Sequence, residues 1–390
     1  MRLTRLWFMG SSSDVLDWQW SSARQFLPFD LDGVAVDCGA LTRRRGVKGG
    51  EALVRTLLLV GLPNASLERA SVMARESGLA EMNSTAMFKR LCRAEELLHV
   101  LYCHTLKHAT DVGERWTGLR LLAVDATALC GPGATATDQR LHTVYDLSKG
   151  VALSTELTGP EGGEALWRHN SFGFGDLVLG DAGYGYNRSF HWALKSGARI
   201  LIRFNFQTVT FYDEVGERIW ADAANAMVPE SGTVELRVEM VNWPCPLRAV
   251  GERNPKGEPV WLLTDLSHEE LPTCQVRDLY RKRWQVELYF KRLKSLVDLD
   301  ELPTRDGPTA RSWIWTKLIL ASLAVLLAHE RFSPWGHPDQ EAESLEDLRL
   351  RRLGPHEGAL GTRASPKART SKRQTKTVRT YPQTALLLEA

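Results

Sequence analysis

Several things are scarce in this chain of 390 residues. There are only six cysteines, at 38, 92, 103, 130, 245 and 274, and no CxxC pair among them. That excludes a zinc knuckle and a disulfide framework, and it fits a reducing compartment. A long apolar run is also missing. The best candidate, WIWTKLILASLAVLLA at 313–328, is short and interrupted by Lys317, so it reads as a buried helix rather than a membrane span. The opening MRLTRLWFMGSSS holds too short an apolar stretch for a signal peptide. No membrane role and a cytoplasmic location are therefore expected.

Net charge is scarce too. With 49 Lys and Arg against 47 Asp and Glu, the formal charge is +2. Composition alone does not announce nucleic-acid binding, but the basic residues are clustered. They gather in RRRGVK (43–48), which contains Arg43 and Arg44, and in FKRLCR (88–93), which contains Lys89, Arg90 and Arg93. They recur in YRKR and FKRLK, and in a tail where residues 359–388 hold seven Lys or Arg and no acid. Each cluster is either a solvated face or a polyanion contact. His99, Cys103, His104 and His108 include two i,i+4 pairs, but these lie on different helical faces and do not converge as metal ligands.

Periodicity divides the chain into six stretches. Residues 1–37 are Trp-rich and unassigned. Residues 38–115 read as all-helical, with Ser66 as an N-cap and a possible helix-turn-helix across Gly78 that presents Lys89, Arg90 and Arg93. At Leu119 the pattern changes: LRLLAVDATAL is an apolar run ending in Asp125, RLHTVYDL and VALSTELT read as a hairpin, and DLVLGDAGYGY ends in Asp181. A helix and the strand ARILIRFN complete a first core part over 116–205. Residues 206–266 alternate as a β-rich insertion, 267–334 carry two helices, and 335–390 are a basic, Ser/Thr-rich tail expected to lack order apart from a short helix around 341–353.

This order resembles a ribonuclease-H-like α/β domain, a mixed sheet whose first and fourth strands lie side by side. Asp125 and Asp181 would then end neighbouring strands, where α/β sheets bind ligands. In LYRKRWQVELYFKRLK (279–294), read as one helix, Tyr280, Arg283, Glu287 and Lys294 fall within an arc of about 60° beside the apolar face. If that helix crosses the crevice, three carboxylates converge. Asp265, Asp138, Asp146 and Asp176 are rival acids, and Glu287 with Arg283 or Lys291 could be ordinary i,i+4 pairs. Three unpaired acids make sense only around cations, and hard divalent ions suit them.

Tyr280-x2-Arg283-x3-Glu287-x6-Lys294, VDATAL and GDAGY together resemble the bacterial DDE transposases of the insertion sequence 4 family, over roughly residues 38–330. The resemblance implies Asp125, Asp181 and Glu287 as catalytic ligands of two Mg²⁺ ions, with Mn²⁺ as a possible substitute. It implies Tyr280, Arg283 and Lys294 as DNA contacts near the cleaved end, and a region around Arg43, Arg44, Lys89, Arg90 and Arg93 that binds terminal inverted repeats. It further implies cut-and-paste chemistry through a DNA hairpin, with Trp261 stacking on a flipped base, and a homodimer that joins two ends in the bacterial nucleoid. Where relatives commonly have Arg after the second aspartate, this chain has Ala182. The alternatives are a nuclease that cuts without joining and an impaired relic that only binds DNA ends.

Overall fold

Alternation along one strand decides how the rest of the chain is arranged. The computed structural model describes residues 20–108, 116–166, 172–204, 210–213, 215–240, 243 and 245–332. Residues 1–19 and the tail 335–390, with its expected helix at 341–353, lie outside them. Strand β1 (Arg120–Leu129) is the third strand of a ten-stranded sheet with β2 (Gln139–Asp146), β3 (Val151–Thr158), β4 (Asp176–Gly180), β5 (Arg199–Arg203), β6 (Thr210–Tyr212), β7 (Arg218–Ile219), β8 (Thr233–Glu239), β9 (Leu247–Arg253) and β10 (Pro259–Thr264). The order is β3-β2-β1-β4-β5-β10-β9-β8-β6-β7. β1, β4 and β5 run parallel, and β2, β3 and β10 run antiparallel to their neighbours. The β-rich stretch after 206 therefore continues the same sheet through β10 rather than forming one of its own.

Side chains alternate across a strand, so each strand feeds two cores. Leu121, Ala123, Leu177, Leu179 and Leu201 enter one core, Leu122, Val124, Val178, Ile200 and Ile202 the other. The second core is closed by α6 (Asn187–Lys195) and α7 (Ala221–Met227), through Phe190, Ala193 and Ala224. The first is much larger. It takes α8 (Thr273–Arg281), α9 (Trp284–Val297), α10 (Gly307–Phe332) and the N-terminal helices α1 (Leu31–Asp37), α2 (Gly50–Val60), α3 (Leu67–Glu76), α4 (Ser84–Leu91) and α5 (Glu95–His108). Each fully buried Leu or Ile contributes about 1.5–3 kcal/mol to this packing.

The N-terminal helices start where their polar residues dictate. Ser66 Oγ accepts the Arg69 N–H at 3.1 Å, and Asn83 Oδ1 accepts the Ala86 N–H at 2.9 Å. Gly78, at φ 63°, follows α3 in a left-handed turn. The helical stretch from Ser84 to His108 is two helices and not one. At Arg93 and Ala94 the backbone N–H groups reach only three residues back, and α5 restarts with Glu95 and Glu96 in its first turn. Arg93 consequently sits in a turn and not on a helix.

α10 is long and apolar enough to cross a bilayer, yet Ile314, Leu318 and Ile319 are fully enclosed and the helix packs on α5 and α2. The end of α2 comes so close that a Cβ on Gly61 would meet Leu320 at 2.9 Å. Lys317 is buried with this face. Its ammonium bonds to the Val297 carbonyl, lies 3.4 Å from the Gly61 carbonyl and stands 4.4 Å over the Trp313 ring. Burial lowers its pKa from 10.5 to about 8, against an opposing pull from Asp298. A folded-state value below the unfolded one means that the unfolded chain binds more protons across that window, so this group destabilises at pH 8 and stops doing so as pH climbs towards 10.5. Lys317→Met is expected to raise Tm at pH 7–8, and the gap to wild type should narrow as thermal melts are run at higher pH.

Candidate active site

Parity places the first acid. Asp125 follows Leu121 and Ala123, so it projects on the side of the sheet covered by α8 and α9. Asp181 follows Leu177 and Leu179 in the same way. The parallel pairing ends at Ala123↔Leu179, and two residues further along each chain segment come Asp125, still within β1, and Asp181, just past β4. Asp125 was expected to end its strand. It sits instead in the middle of β1, because pairing with β2 continues to Leu129↔Gln139 after the β4 side has parted. Asp181 lies one residue past β4, and its Oδ1 accepts the Gly183 N–H at 2.9 Å in a short 3-10 turn.

The stripe expected on one helix is split between two. α8 ends at Arg281, and the N–H groups of Arg283, Gln285 and Val286 reach only three residues back. Arg283 occupies this break, with its side chain 15% exposed. Its guanidinium meets Glu287 Oε1 at 2.6 Å and Asp125 Oδ2 at 3.6 Å. It also lies 5.9 Å from the centre of the Tyr280 ring. Tyr280 OH donates to the Gly180 carbonyl at 3.2 Å, one residue before Asp181. Tyr280 thus docks α8 on the end of β4 and Arg283 docks α9 on β1. Glu287, in the first turn of α9, remains 37% exposed. Lys294 lies two turns further on, half-buried, and is in no ion pair among the described residues.

Burial pushes the Asp125 carboxyl up from its ordinary 3.8 to about 6. The Ala126 N–H and Arg283 hold it down, and Asp181 and Glu164 push it further up. Glu164 and Tyr184 are members of this group that the sequence reading missed. Glu164 is 3.3 Å from Arg140, and its pKa is raised by burial and then by Asp181. A Cβ on Gly183 would meet its carboxylate at 2.0 Å. Tyr184 is fully buried, and its hydroxyl has no hydrogen-bond partner among the described residues. Glu164 lies in an irregular loop, so no period marked it.

The rival acids are engaged elsewhere. Asp265 pairs with Arg199 at 2.7 Å, Asp176 with Arg120 at 2.8 Å and Asp138 with Arg305 at 3.1 Å. Asp146 accepts the Ser148 N–H at 3.0 Å and shapes the β2–β3 turn. Trp261 does not present a face for stacking. It is 1% exposed, packs on Phe211 and donates its indole N–H to Asn225 at 3.0 Å. In the same stretch Trp220 is 68% exposed, beneath Arg218 at 4.3 Å. Arg43, Arg44, Lys89 and Arg93 are exposed, whereas Arg90 turns inward onto backbone carbonyls. His99 bonds Cys103 and His104 bonds the Phe26 carbonyl, so that helical group is used structurally.

The donors around Asp125 are all oxygen and short of positive charge, a chemistry that suits a hard divalent cation. Among the described residues, however, no three acids, histidines or cysteines close on one point. Arg283 stands between Asp125 and Glu287, and the carboxylates of Asp125, Asp181 and Glu287 are the oxygen donors whose chemistry fits such a cation.

Residues 116–323 match the family described as Transposase DDE domain. The chain is 30% identical over 332 residues to transposase InsL of insertion sequence elements IS186A and IS186B of Escherichia coli K12, with 76% of this chain and 90% of each relative covered. It is also 30% identical over 333 residues to the transposase of insertion sequence element IS421 of Escherichia coli, with the same coverage. The chain belongs to the DDE transposase family.

Because Asp125 has a higher pKa folded than unfolded, its contribution to stability is lost as pH rises from about 4 through 6. In metal-free protein with chelator, Asp125→Asn is expected to raise stability at pH 7 by up to roughly 3 kcal/mol, a shift of about two pKa units at 1.36 kcal/mol each. Denaturant melts at pH 4 should show that gain gone.

Proposed function

We propose that the chain is the transposase of an insertion sequence, acting on duplex DNA at the element's terminal inverted repeats and at a target. One observation carries this reading: Asp125 on β1 and Asp181 just past the end of the neighbouring parallel β4 follow the same register, and Arg283 ties Glu287 to Asp125. We read β1–β5 as a ribonuclease-H-like core extended by the insertion, with a helical end-binding region over 38–115. We read Tyr280, Arg283, Glu287 and Lys294 as the Y-R-E-K signature of the insertion sequence 4 family.

Asp125, Asp181 and Glu287 would hold two divalent cations, Mg²⁺ or Mn²⁺. When bound, these would activate a water or a 3′-hydroxyl and stabilise the leaving oxygen. The protein's own part is positioning and charge. Tyr280 holds α8 on the strand ends, and Arg283, once turned to a phosphate, offers its two-pronged fork beside the scissile bond. Lys294 lies further along the same helix as a second phosphate contact. Ala182 supplies no such contact. Within a homodimer, first-strand hydrolysis would free a 3′-hydroxyl, and its attack on the opposite strand would close a hairpin and release the flanking DNA. Water would reopen the hairpin, and the regenerated 3′-hydroxyl would displace a target-strand 3′-oxygen to complete the proposed sequence. Trp261 takes no part in it in the arrangement described. An enzyme acting on element ends in chromosomal DNA would work in the cytoplasm, at the nucleoid.

Cleavage of a duplex carrying the element's own end tests this. Wild type with Mg²⁺ should nick at the boundary, and Glu287→Gln or chelator should reduce nicking by about 10³-fold or more. Binding without any cutting in the wild type would overturn the catalytic reading in favour of an end-binding relic.

A further inference from the structure

The guanidinium of Arg90 lies under a loop made of other arginines. On leaving α1 the chain turns at Gly39, at φ 68°, and runs through ALTRRRGVK before α2 begins. Arg90, on the last turn of α4, sends Nη2 to the carbonyls of Arg43 at 2.7 Å and Arg45 at 3.1 Å, and Nη1 to that of Ala40 at 3.4 Å. A second strap closes the far end. The Gly46 carbonyl accepts the Glu81 N–H at 2.8 Å, and Val47 bridges Ala80 and is 2% exposed. Gly46 sits at φ 73°, and a Cβ there would meet the Glu81 carbonyl at 2.6 Å, so the approach is open only to glycine.

The two straps spend the loop's backbone inward and turn its side chains outward. Thr42, Arg43, Arg44, Arg45 and Lys48 are exposed, as is Lys89 on α4. Arg44 has a loose contact with Asp32 at 3.8 Å. Among the described residues, no carboxylate pairs with Arg43, Arg45, Lys48 or Lys89. A run of unpaired cations on a pinned backbone is costly through self-repulsion unless a polyanion meets it. A rigid backbone also removes the ordering cost that a floppy basic loop would incur on binding.

We propose that this loop is a preformed strap for the phosphate backbone of duplex DNA, and that Arg90 is its positioning residue and makes no phosphate contact. The inference rests on the DNA-acting function proposed above and assigns the N-terminal contact to particular groups. Arg45 and Lys48 join Arg43, Arg44 and Lys89 on the contact surface, and Arg90 leaves it. The choice of arginine at 90 follows from geometry. A planar fork can serve three carbonyls at once, and a lysine ammonium on a flexible stem cannot hold the same set.

Two readouts on the full chain test this: fluorescence-anisotropy binding to an element-end duplex across a salt series, and native trypsin cleavage after residues 43–45. Arg90→Lys keeps the charge. If Arg90 touched phosphate, that variant would bind nearly as wild type. As a clamp it should lose affinity by about tenfold or more, and the loop should be cut several-fold faster. The double variant Arg43→Ala/Arg45→Ala changes only exposed side chains and guards against a folding defect at 90. It should lower the slope of log affinity against log salt by about 1.8, roughly 0.9 for each lost phosphate contact. Unchanged binding and cleavage in Arg90→Lys would overturn the clamp, and an unchanged slope in the double variant would overturn the strap. A wild type that binds no duplex at low salt would sink the DNA reading and the strap with it, while the trypsin result would still judge the clamp.

Discussion

Arg283 is the interaction on which the site depends. It stands where two buried or half-buried carboxylates would otherwise face each other across α9 and β1, and among the described residues its guanidinium is the cation that reaches both. Removing it would leave Asp125 buried near Asp181 and Glu164 with little to offset their charge, a situation that low-dielectric surroundings make expensive. The break between α8 and α9 is what lets Arg283 turn inward, and Tyr280 fixes the break by hydrogen bonding to the end of β4. Backbone geometry, charge balance and docking of the two helices are therefore one constraint.

The same constraint explains the economy of the surrounding sheet. The odd-numbered residues of β1 and β4 are apolar until the parallel pairing ends and acidic immediately afterwards. The apolar part builds the larger core, and the acidic part opens onto the crevice at the strand ends. Other acids of this region are neutralised by arginines of their own, as Asp176 is by Arg120 and Asp265 by Arg199. Among the described residues Asp181 is in no ion pair and Asp125 shares Arg283 with Glu287, and this separates them from the structural acids.

Much of this was legible in the sequence because it rests on local periods. Apolar runs marked the strands, and Ser66 marked a helix start. The YxxRxxxExxxxxxK spacing picked out Tyr280, Arg283 and Glu287, which lie around the end of β4 and Asp125 although they are spread over two helices and the break between them. What the sequence hid depends on tertiary contact. Nothing local says that β1 runs four residues past Asp125, since that extension is set by pairing with β2. The breaks at 92–94 and 282–283 lie in good helix formers and arise from packing. Trp261 and Arg90 looked like surface groups by residue type, and only their partners, Asn225 and a set of backbone carbonyls, place them inside. Glu164 belongs to the acidic group through the fold alone.

The junction of β5 with β10 has a consequence for solubility. A sheet edge is a row of unpaired donors and acceptors that can template aggregation, and long apolar edges are the worst. If the sheet stopped at β5 or β10, the exposed edge would be RILIR or PVWLLT, both short and greasy. The strands beyond them instead taper, from seven residues in β9 and β8 to three in β6 and two in β7. On this side the described sheet thus runs out at the two-residue β7, so the added strands cover β5 and β10, while β3 remains the long edge on the other side. A chain from which residues 206–266 were excised would lose that cover over β5 while keeping Asp125, Asp181 and Glu287.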